Sequence, residues 1–488
     1  MTTPSLVPGR VAELLGPLPD DRPAYRALAD GLRLLVADGR IATGTRLPSE
    51  RDLTGALGVS RTTVTRAYAA LRESGYVTAR QGSGTVATLP TGRRGLGTGA
   101  VLYPAEVPDD VIDLTCAATR APAGTAEAYE RALAALPSYL AGAGYLTLGV
   151  PELREAIADR YTQRGAPTSA DQILVTSGAV AGLASVTRAL LGIGDRVLVE
   201  SPGYPNSADA LHRGGLRLAP VTVDPTGWDT PTVASAIAAA NARAFLTIPD
   251  FHNPTGALMP DEQRAAVAHA LKRAGTTPLV DETIAEIALD DRPAPRPFAA
   301  HHAGAISVGS SSKTHWGGLR TGWIRAPHKV IPALLDSRAT LDLGAPVLEQ
   351  LVLVELMRTT PGITATRRAE LTASRDAAGT ALRAALPDVR FVVPPGGLSL
   401  WLELPWTRAD EVAAAAEDEG LLIAGGPRFA VGGGLGRWVR LPYVLSPETM
   451  TEAVRRLTTA VNRVREAETA SGGGRQTTTR RRRGPLVA

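Results

Sequence analysis

The sequence has little of several residue types, and each shortage excludes something. Cys116 is the only cysteine among 488 residues, which excludes an intrachain disulfide and a cysteine-based metal cluster. No apolar run approaches the roughly 20 residues of a membrane span, and no basic-then-apolar signal pattern opens the chain. We therefore expect a cytoplasmic protein without membrane contact. We also expect no metal site, because His301, His302 and His315 lack partners at metal-ligand spacing.

Lysine is also almost absent, although basic residues are common. Of the 52 lysines and arginines only three are lysines, namely Lys272, Lys313 and Lys329. Arginine cannot form a Schiff base, whereas a partly desolvated lysine can. Lys313 follows a run of three serines at 310–312 and precedes Arg320 by seven residues, and these groups suit a phosphate. The pattern favours a phosphate-bearing aldehyde cofactor, pyridoxal phosphate (PLP), over a solvated lysine on a turn.

Charge is distributed unevenly along the chain. The net charge of +4 is the balance of +3 in residues 1–90, +5 in residues 471–488 and −4 in the remainder. Because both terminal segments are positively charged and the rest of the chain is negatively charged, the pattern indicates contact with nucleic acid through the terminal segments. For the arginine-rich tail, a solvated segment without a partner is the alternative.

Length and apolar patterning predict more than one domain. A chain of 488 residues with 44% hydrophobic content exceeds one ordinary core. From about residue 110, short apolar runs alternate with helical patterns, which is typical of an α/β fold with a mostly parallel sheet covered by helices. The predicted strands lie at 172–176, 196–200, 244–248, 278–281 and 305–309. The predicted domains are a DNA-binding block at 20–88, a linker at 89–109, a large domain at 110–466 with a smaller C-terminal α/β subdomain, and a basic disordered tail at 471–488.

Residues 49–71 have the pattern of a helix-turn-helix. The first predicted helix, at 49–57, stops at Gly58, which favours the left-handed conformation of a helix end. Ser60 is a natural N-cap for the second helix, because its hydroxyl can accept from an N–H two or three residues later. One face of this helix would pack inward with Val64, Tyr68 and Leu71, and the other would carry Arg61, Thr62, Thr65 and Arg66 towards the major groove. A glycine-rich hairpin at 81–86 comes next, and it could approach a minor groove.

The segment at 22–88 closely resembles the winged helix-turn-helix of the GntR family. The resemblance rests on the motifs LPSER at 47–51, VSRTTV at 59–64 and GSGT at 82–85. It implies that residues of these motifs bind a double-stranded DNA operator through its backbone and bases. For Arg51 and Arg66, surface ion pairs are the alternative. The predicted DNA-binding residues are Ser49, Arg51, Ser60, Arg61, Thr62, Thr63, Arg66 and Gly82.

The large domain presents, in chain order, the groups that a fold-type-I PLP enzyme needs. Gly178 and Ala179 open a helix after a predicted strand, where backbone N–H groups can hold a phosphate. Tyr204 would lie against the pyridine ring, and Asn253 would donate to its 3-oxygen. Asp281 ends an apolar strand and would keep the pyridine nitrogen protonated. The predicted cofactor-binding residues are Gly178, Ala179, Tyr204, Asn253, Asp281, Ser310, Ser312, Lys313 and Arg320, with Lys313 as the catalytic residue.

Residues 110–465 resemble the aspartate-aminotransferase superfamily, and the whole chain looks like the MocR subfamily of bacterial regulators. The resemblance implies that Arg440 clamps the α-carboxylate of a small amino-compound effector and that a homodimer completes the cofactor pocket. Arg428 is a further candidate for effector contact. Members of the superfamily have a tyrosine two or three residues after the aspartate, but Thr283 and Ile284 occupy these positions here. The missing phenol lowers the expectation of efficient turnover.

The sequence leaves three functions open. The first is a PLP-dependent transcriptional regulator that senses an amino compound or PLP itself. The second is an active aminotransferase with a vestigial DNA-binding head, and the third is a DNA-binding protein whose pocket has lost PLP. The missing tyrosine favours the first over the second, and the intact set of Lys313, Asp281 and Asn253 disfavours the third. For Arg440, a surface arginine beside a strand is the alternative to an effector clamp.

Overall fold

The computed structural model describes residues 5–19, 23–37, 41, 44–80, 84–88, 108, 110–359, 364–405 and 409–470. The predicted tail at 471–488, nearly all of the predicted linker at 89–109, and Gly82 lie outside the described residues. Contacts group the chain into two compact units, Met1–Val101 with Ala121–Ala134 and Leu102–Arg120 with Ala135–Ala488. Within the described ranges, no helix has the length and apolar character needed to cross a membrane.

The first unit contains the predicted helix-turn-helix, which is confirmed. Its helices are α1 (Pro8–Leu15), α2 (Ala24–Ala37), α3 (Glu50–Leu57), α4 (Arg61–Glu73) and, later in the chain, α5 (Thr125–Ala135), and its strands β1 (Val77–Arg80) and β2 (Gly84–Ala87) pair antiparallel. Ser49 and Ser60 cap α3 and α4, each accepting from the backbone N–H three residues later, at 3.2 and 3.1 Å. Gly58 ends α3 with φ +64°, a conformation that glycine adopts without strain.

The inner face of α4 holds this unit together. Val64, Tyr68 and Leu71 are at most 1% exposed and belong to one apolar core with residues of α2. The Tyr68 hydroxyl donates to the backbone carbonyl of Pro48 at 2.8 Å, so a buried polar group is satisfied and α4 is tied to the loop before α3. The opposite face of α4 is therefore free to carry its polar side chains outward.

A seven-stranded mixed sheet forms the centre of the second unit. The strands of this unit are β3 (Ile112–Asp113), β4 (Ile173–Thr176), β5 (Arg196–Ser201), β6 (Arg217–Thr222), β7 (Ala244–Thr247), β8 (Thr277–Asp281), β9 (Ile306–Ser310), β10 (Gly322–Arg325), β11 (Ser399–Glu403), β12 (Leu421–Leu422), β13 (Ala424–Gly425) and β14 (Trp438–Pro442). The order in the large sheet is β4-β10-β9-β8-β7-β5-β6. Only β10 runs antiparallel to its neighbours, so the predicted mostly parallel sheet is confirmed.

Helices cover the sheet and bury its continuous apolar strands. They are α6 (Pro151–Gln163), α7 (Ala179–Leu190), α8 (Pro205–Arg213), α9 (Thr230–Ala240), α10 (Asp261–Ala274), α11 (Ile331–Arg338), α12 (Val347–Thr359), α13 (Ala365–Ala385), α14 (Ala409–Asp418) and α15 (Pro447–Ala470). Leu183 and Val186 of α7 and Leu334 of α11 share a core with residues of β4, β5 and β9. Burial on both faces explains why these strands read as apolar runs without alternation.

The predicted smaller α/β subdomain is also present. It contains the antiparallel sheet β11-β14-β13, and α13, α14 and α15 contribute to the same core. A separate parallel pair joins β3 to β12, through bonds from the N–H of Ile112 to Gly420 and from the N–H of Leu114 to Leu422, each 2.8 Å long. The start of the second unit is thus attached to the small subdomain.

Candidate functional sites

A cavity of about 550 Å³ lies at the carboxyl ends of the parallel strands. The loops after β4, β5, β7, β8 and β9 all contribute to its wall, which is where open α/β sheets bind ligands. All nine predicted cofactor-binding residues line this one cavity. Residues that the prediction did not include also contribute, among them Cys116, Ala118, Asn206, Ser207 and Thr283.

Lys313 lies on a single π-helical turn, Ser312–Trp316, soon after the end of β9. Such turns are rare and occur often at functional sites. Its amine donates to the backbone carbonyl of Ala117, with 2.8 Å between Nζ and the oxygen. Burial lowers the pKa of Lys313 from the ordinary 10.5, because the charged form loses hydration, although Cys116 and Asp281 oppose this shift. More of the amine is therefore neutral, which is the form that attacks a carbonyl carbon.

Asp281 is the last residue of β8 and is 8% exposed. One carboxylate oxygen accepts from the backbone N–H of Thr283 at 2.9 Å. Burial raises the pKa of Asp281, and the hydrogen bond from Thr283 and the charge of Lys313 only partly offset that cause. A cationic nitrogen placed opposite this carboxylate would favour its charged form.

Tyr204 and Asn253 occupy other parts of the wall, and neighbouring side chains fix both of them. The Tyr204 hydroxyl accepts from the side-chain amide of Asn206 at 3.0 Å, just before the first turn of α8. Asn253 comes after β7, and its side-chain amide oxygen accepts from Arg440 at 3.3 Å. A planar ligand between these residues and Lys313 would meet one aromatic face and one amide.

Gly178, Ala179 and Arg320 form an anion-binding corner of the cavity. Gly178 stands at the N-cap of α7 with φ +105°, and a Cβ there would come within 2.8 Å of the Arg320 guanidinium. Arg320 donates to the backbone carbonyl of Ser177 at 3.1 Å. Ser310 and Ser312 lie nearby, with 3.1 Å between their hydroxyl oxygens. A helix N-terminus, a guanidinium and two hydroxyls are together well suited to a phosphate.

The two arginines assigned to an effector do not line the cavity. Arg440 on β14 is completely buried, so it is not a surface arginine. It lies behind Asn253, and its other terminal nitrogen donates to the backbone carbonyl of Thr115 at 2.6 Å. Arg428 lies on the short turn Gly426–Phe429, where burial lowers its pKa and Asp209 opposes that shift. In this structure Arg440 therefore contacts the cavity wall at Asn253.

The sequence did not predict the role of Glu200, a buried residue whose hydrogen bonds support the cavity wall. Glu200 at the end of β5 is 3% exposed and accepts from the indole of Trp228 at 2.7 Å, from Thr247 at 2.6 Å and from the N–H of Ile248 at 2.7 Å. Glu200 thereby joins the carboxyl ends of β5 and β7, and its negative charge contributes to the raised pKa of Asp281. A glutamate at the end of an otherwise apolar run was the signal that the sequence offered.

The exposed face of α4 carries the predicted DNA-reading residues. Arg61, Thr62 and Arg66 are exposed, and the Arg66 guanidinium lies 3.9 Å from the centre of the Tyr25 ring. The neighbouring hydroxyl, that of Thr65, donates to Glu50 of α3 at 2.7 Å. Arg51 is exposed on α3. Within the part of the chain that the structure describes, neither Arg51 nor Arg66 forms an ion pair, so that alternative finds no support here.

Comparison with known proteins assigns both parts of the chain. Residues 24–86 match the family described as bacterial regulatory proteins, gntR family, and residues 110–457 match aminotransferase class I and II. One relative is the probable rhizopine catabolism regulatory protein MocR of Rhizobium meliloti, which is 30% identical over 65% of this chain and 67% of its own length. The chain is an HTH-type transcriptional regulator of the MocR type, with a class I and II aminotransferase domain.

Other relatives of this MocR-type regulator extend over more of its length. The HTH-type transcriptional regulator TauR of Rhodobacter capsulatus is 28% identical over 87% of the regulator and 94% of TauR. Among solved structures, the α-aminoadipate aminotransferase LysN from Thermus thermophilus, complexed with N-(5'-phosphopyridoxyl)-L-leucine, matches with a TM-score of 0.67 and 26% identity. That match covers 74% of the regulator and 94% of LysN, and the aminotransferase fold it shows is typically PLP-binding.

Proposed function

We propose that this regulator binds PLP through a Schiff base at Lys313 and senses a small amino compound, or PLP itself, to change its binding to a DNA operator. One observation carries the proposal. The buried amine of Lys313, with its lowered pKa, belongs to the same cavity wall as a carboxylate, an amide, an aromatic ring and an anion-binding corner. These are the groups that a phosphorylated pyridine aldehyde would contact.

A buried polar atom of the cavity wall that lacks a hydrogen-bond partner also fits such a ligand. Among the described residues on the cavity wall, the buried side-chain oxygen of Asn206 has no hydrogen-bond partner. Buried polar atoms are rarely left in this state, so a ligand or water in the cavity would satisfy this one. The φ of +105° at Gly178 also favours glycine, as expected where a backbone N–H must reach an anion.

Each cofactor-binding residue then has a defined role, and that of Tyr204 is to lie against the pyridine ring. Bound PLP supplies an aldehyde and a ring that accepts electrons. Lys313 attaches the aldehyde, and Asp281 keeps a proton on the ring nitrogen. Asn253 donates its amide N–H to the ring 3-oxygen, since its carbonyl oxygen is already bound by Arg440. The phosphate is held at the corner formed by Gly178, Ala179, Ser310, Ser312 and Arg320.

Arg440 is the proposed site for the effector's carboxylate. A carboxylate can accept two parallel bonds from a guanidinium, and this pairing is stronger than a bond to one neutral carbonyl. Arg440 already donates to the Thr115 carbonyl at 2.6 Å and to Asn253 at 3.3 Å, so a carboxylate would compete with these acceptors for the guanidinium. Binding would therefore rearrange the surroundings of Thr115 and Asn253, which gives an effector a direct means of changing the structure.

A homodimer is the proposed assembly. An exposed apolar patch contains Leu140 and Tyr145 on one loop, 69% and 68% exposed, and Leu341 and Leu343 on another. Arg338 connects these loops, because it donates to the backbone carbonyl of Thr147 at 2.9 Å and to Asp342 at 2.6 Å. Apolar side chains exposed on adjoining loops are suited to a subunit interface. Light scattering of the wild type should give twice the chain mass, and a Leu341→Asp, Leu343→Asp double variant should shift towards the monomer.

The covalent assignment is tested by spectroscopy and peptide mapping. Holoprotein should absorb visible light, and borohydride should fix the label on the peptide that contains Lys313. Lys313→Ala should remove both signals, whereas Lys272→Ala and Lys329→Ala should retain them. Because the chain has only three lysines, these three variants test every lysine side chain. A reduced label on any peptide without Lys313 would show that the assignment is wrong.

An active aminotransferase is the second candidate, and one specific observation favours it. The 2-aminoadipate transaminase of Thermus thermophilus is 30% identical over 60% of this chain and 75% of its own length. The residues proposed to hold PLP here would also support transamination. Measurement of keto-acid release from a panel of amino acids separates the two candidates.

A further inference from the structure

One short segment contacts both basic side chains of the proposed ligand site, Lys313 for the cofactor and Arg440 for the effector. The segment consists of residues 113–118, and we call it the latch segment. The backbone carbonyl of Thr115 accepts from Arg440 at 2.6 Å, and the carbonyl of Ala117 accepts from Lys313 at 2.8 Å. Carbonyls two residues apart thus accept from the donors that the cofactor aldehyde and the effector carboxylate would use.

The attachments of the latch segment differ along its length. Its first residues are held by the β3–β12 pair, and Asp113 accepts from both the N–H and the hydroxyl of Thr115, at 2.8 and 2.6 Å. The backbone at 115–118 lies outside any strand or helix. There, the bonds from Arg440 and Lys313 take the place of a β-ladder, and Thr115 is only 1% exposed. A change at either cation would therefore act directly on this part of the backbone.

The position of the latch segment in the chain gives such a change a route to the DNA-binding part. The chain passes from the first compact unit into the second at Leu102 and reaches the segment about ten residues later. Directly after Arg120 it enters Ala121–Ala134, which again groups with the first unit. Residues of the first compact unit therefore adjoin both ends of the stretch that contains the latch segment, and the gntR-family match lies on the N-terminal side, at residues 24–86.

We propose that the latch segment reports occupancy of the cavity to the DNA-binding unit by losing its bonds to Lys313 and Arg440. This inference rests on the proposed function. When the Lys313 amine condenses with an aldehyde, one water leaves and the nitrogen gives up hydrogens that it could donate to Ala117. When a carboxylate binds Arg440, it competes with the carbonyl of Thr115. The cofactor and the effector thus act on two different carbonyls of one segment.

The test uses ligand-free protein, so that no ligand shields the segment. Lys313→Met and Arg440→Met keep apolar bulk but remove the N–H donors, whereas Lys313→Arg keeps a donor and cannot form a Schiff base. Lys329→Met, on an exposed turn, is the control for loss of a lysine. The readouts are hydrogen exchange of the amides at 114–118 and alkylation of Cys116, which is the only thiol in the chain. A thermal melt confirms that each variant is folded.

Loss of one bond to a charged donor should speed local opening by about tenfold or more. Both methionine variants should therefore exchange faster at 114–118 than the wild type, and Lys313→Arg and Lys329→Met should not. Loss of the Lys313 charge by itself would slow alkylation, because a nearby cation favours the thiolate. Faster alkylation in Lys313→Met would thus be evidence of exposure rather than of electrostatics. Unchanged exchange in both methionine variants would overturn the proposal, as would equal acceleration in Lys313→Arg.

DNA affinity provides the second arm of the test. Ligand-free Lys313→Met and Arg440→Met should differ from ligand-free wild type in operator affinity at fixed salt, in the direction in which ligand moves the wild type. If exchange rises but operator affinity stays the same, the segment opens without reporting, and the inference is wrong. Failure of the wild type to bind PLP would instead contradict the proposed function, because the exchange measurements contain no ligand.

Discussion

Asp281 and Asn253 line the same cavity, but they should differ in their contributions to cofactor affinity. Asp281 would meet a cationic ring nitrogen in a buried site, and bonds between charged groups are worth roughly 1.5–3 kcal/mol, against about 1 for a neutral pair. Asp281→Ala should therefore weaken PLP binding roughly tenfold or more, and Asn253→Ala by less. Asp281→Asn, which keeps the shape and removes the charge, should resemble the alanine variant. Equilibrium dialysis checks this order, and equal losses at the two positions would contradict the role of Asp281 at the ring nitrogen.

The lowered pKa of Lys313 predicts how the rate of PLP attachment depends on pH. Burial favours the neutral amine, so the reactive form should accumulate at lower pH than in an ordinary lysine of pKa 10.5. The attachment rate should rise with pH and level off below pH 10.5. The measurement is the initial rate of appearance of visible absorbance in apoprotein, with acetyl-lysine amide as the reference amine. A profile that coincides with the reference would show that the cavity does not activate the amine.

At the residue scale, the side chains of the candidate site were easier to predict than their partners. Lys313 stood out because lysine is rare in this chain, and the other wall residues came from ordered motifs at strand ends. The carbonyls of Thr115 and Ala117 gave no signal, since every residue has a carbonyl and only packing decides which one meets a cation. For the same reason the sequence could not show that Arg440 lies behind Asn253 rather than on the cavity wall.

Helix α4 is the element whose side chains should read the operator. Arg61 lies in its first turn, and Arg66 is exposed with its guanidinium held against the Tyr25 ring. Arg61→Ala and Arg66→Ala should each weaken specific binding by roughly 1–3 kcal/mol and leave the PLP content unchanged. Arg72→Ala, in the last turn of the same helix, is the matched control. If gel shifts at fixed salt show no loss for either variant, another element reads the bases.

The strands illustrate which elements can be predicted from the sequence. Five apolar runs predicted five strands of the large sheet to within about one residue at each end, because strands buried on both faces need no alternation. Strand β6 was not predicted, since it is a half-exposed edge strand with Pro220 in its interior. Strand β10 was also missed, because it begins with a glycine that lies against Gly178 and ends with an arginine, so it is not an apolar run. Edge position and close backbone approach are properties of the assembled sheet.

On the scale of the whole molecule, a sensor and an enzyme differ in the chemistry that takes place after a ligand binds. The proposed binding and exchange of an amine would use Lys313, Asp281 and Arg440, and the chain has all three. Turnover also depends on how the aldimine is tuned from the ring 3-oxygen, where superfamily members have a tyrosine and this chain has Thr283. Among the described residues that line the cavity, Tyr204 is the one phenol, and its hydroxyl is bound by Asn206. Burial raises the pKa of the nearby phenol of Tyr161, and the charge of Glu282 adds to this shift. The Tyr161 hydroxyl donates to Glu282 at 2.6 Å.

The protein should therefore bind amino acids without turning them over efficiently. Holoprotein mixed with a panel of amino acids should show a spectral change with the effector but almost no release of keto acid. Thr283→Tyr would supply a phenol at one of the positions where superfamily members have a tyrosine and should increase keto-acid release, whereas Thr283→Phe controls for the added ring without the hydroxyl. Slow chemistry would let the effector-bound state persist while the protein occupies its operator. If the wild type instead completes several turnovers per second on any common amino acid, roughly the rate of an ordinary enzyme, the aminotransferase function is correct and the sensor function is wrong.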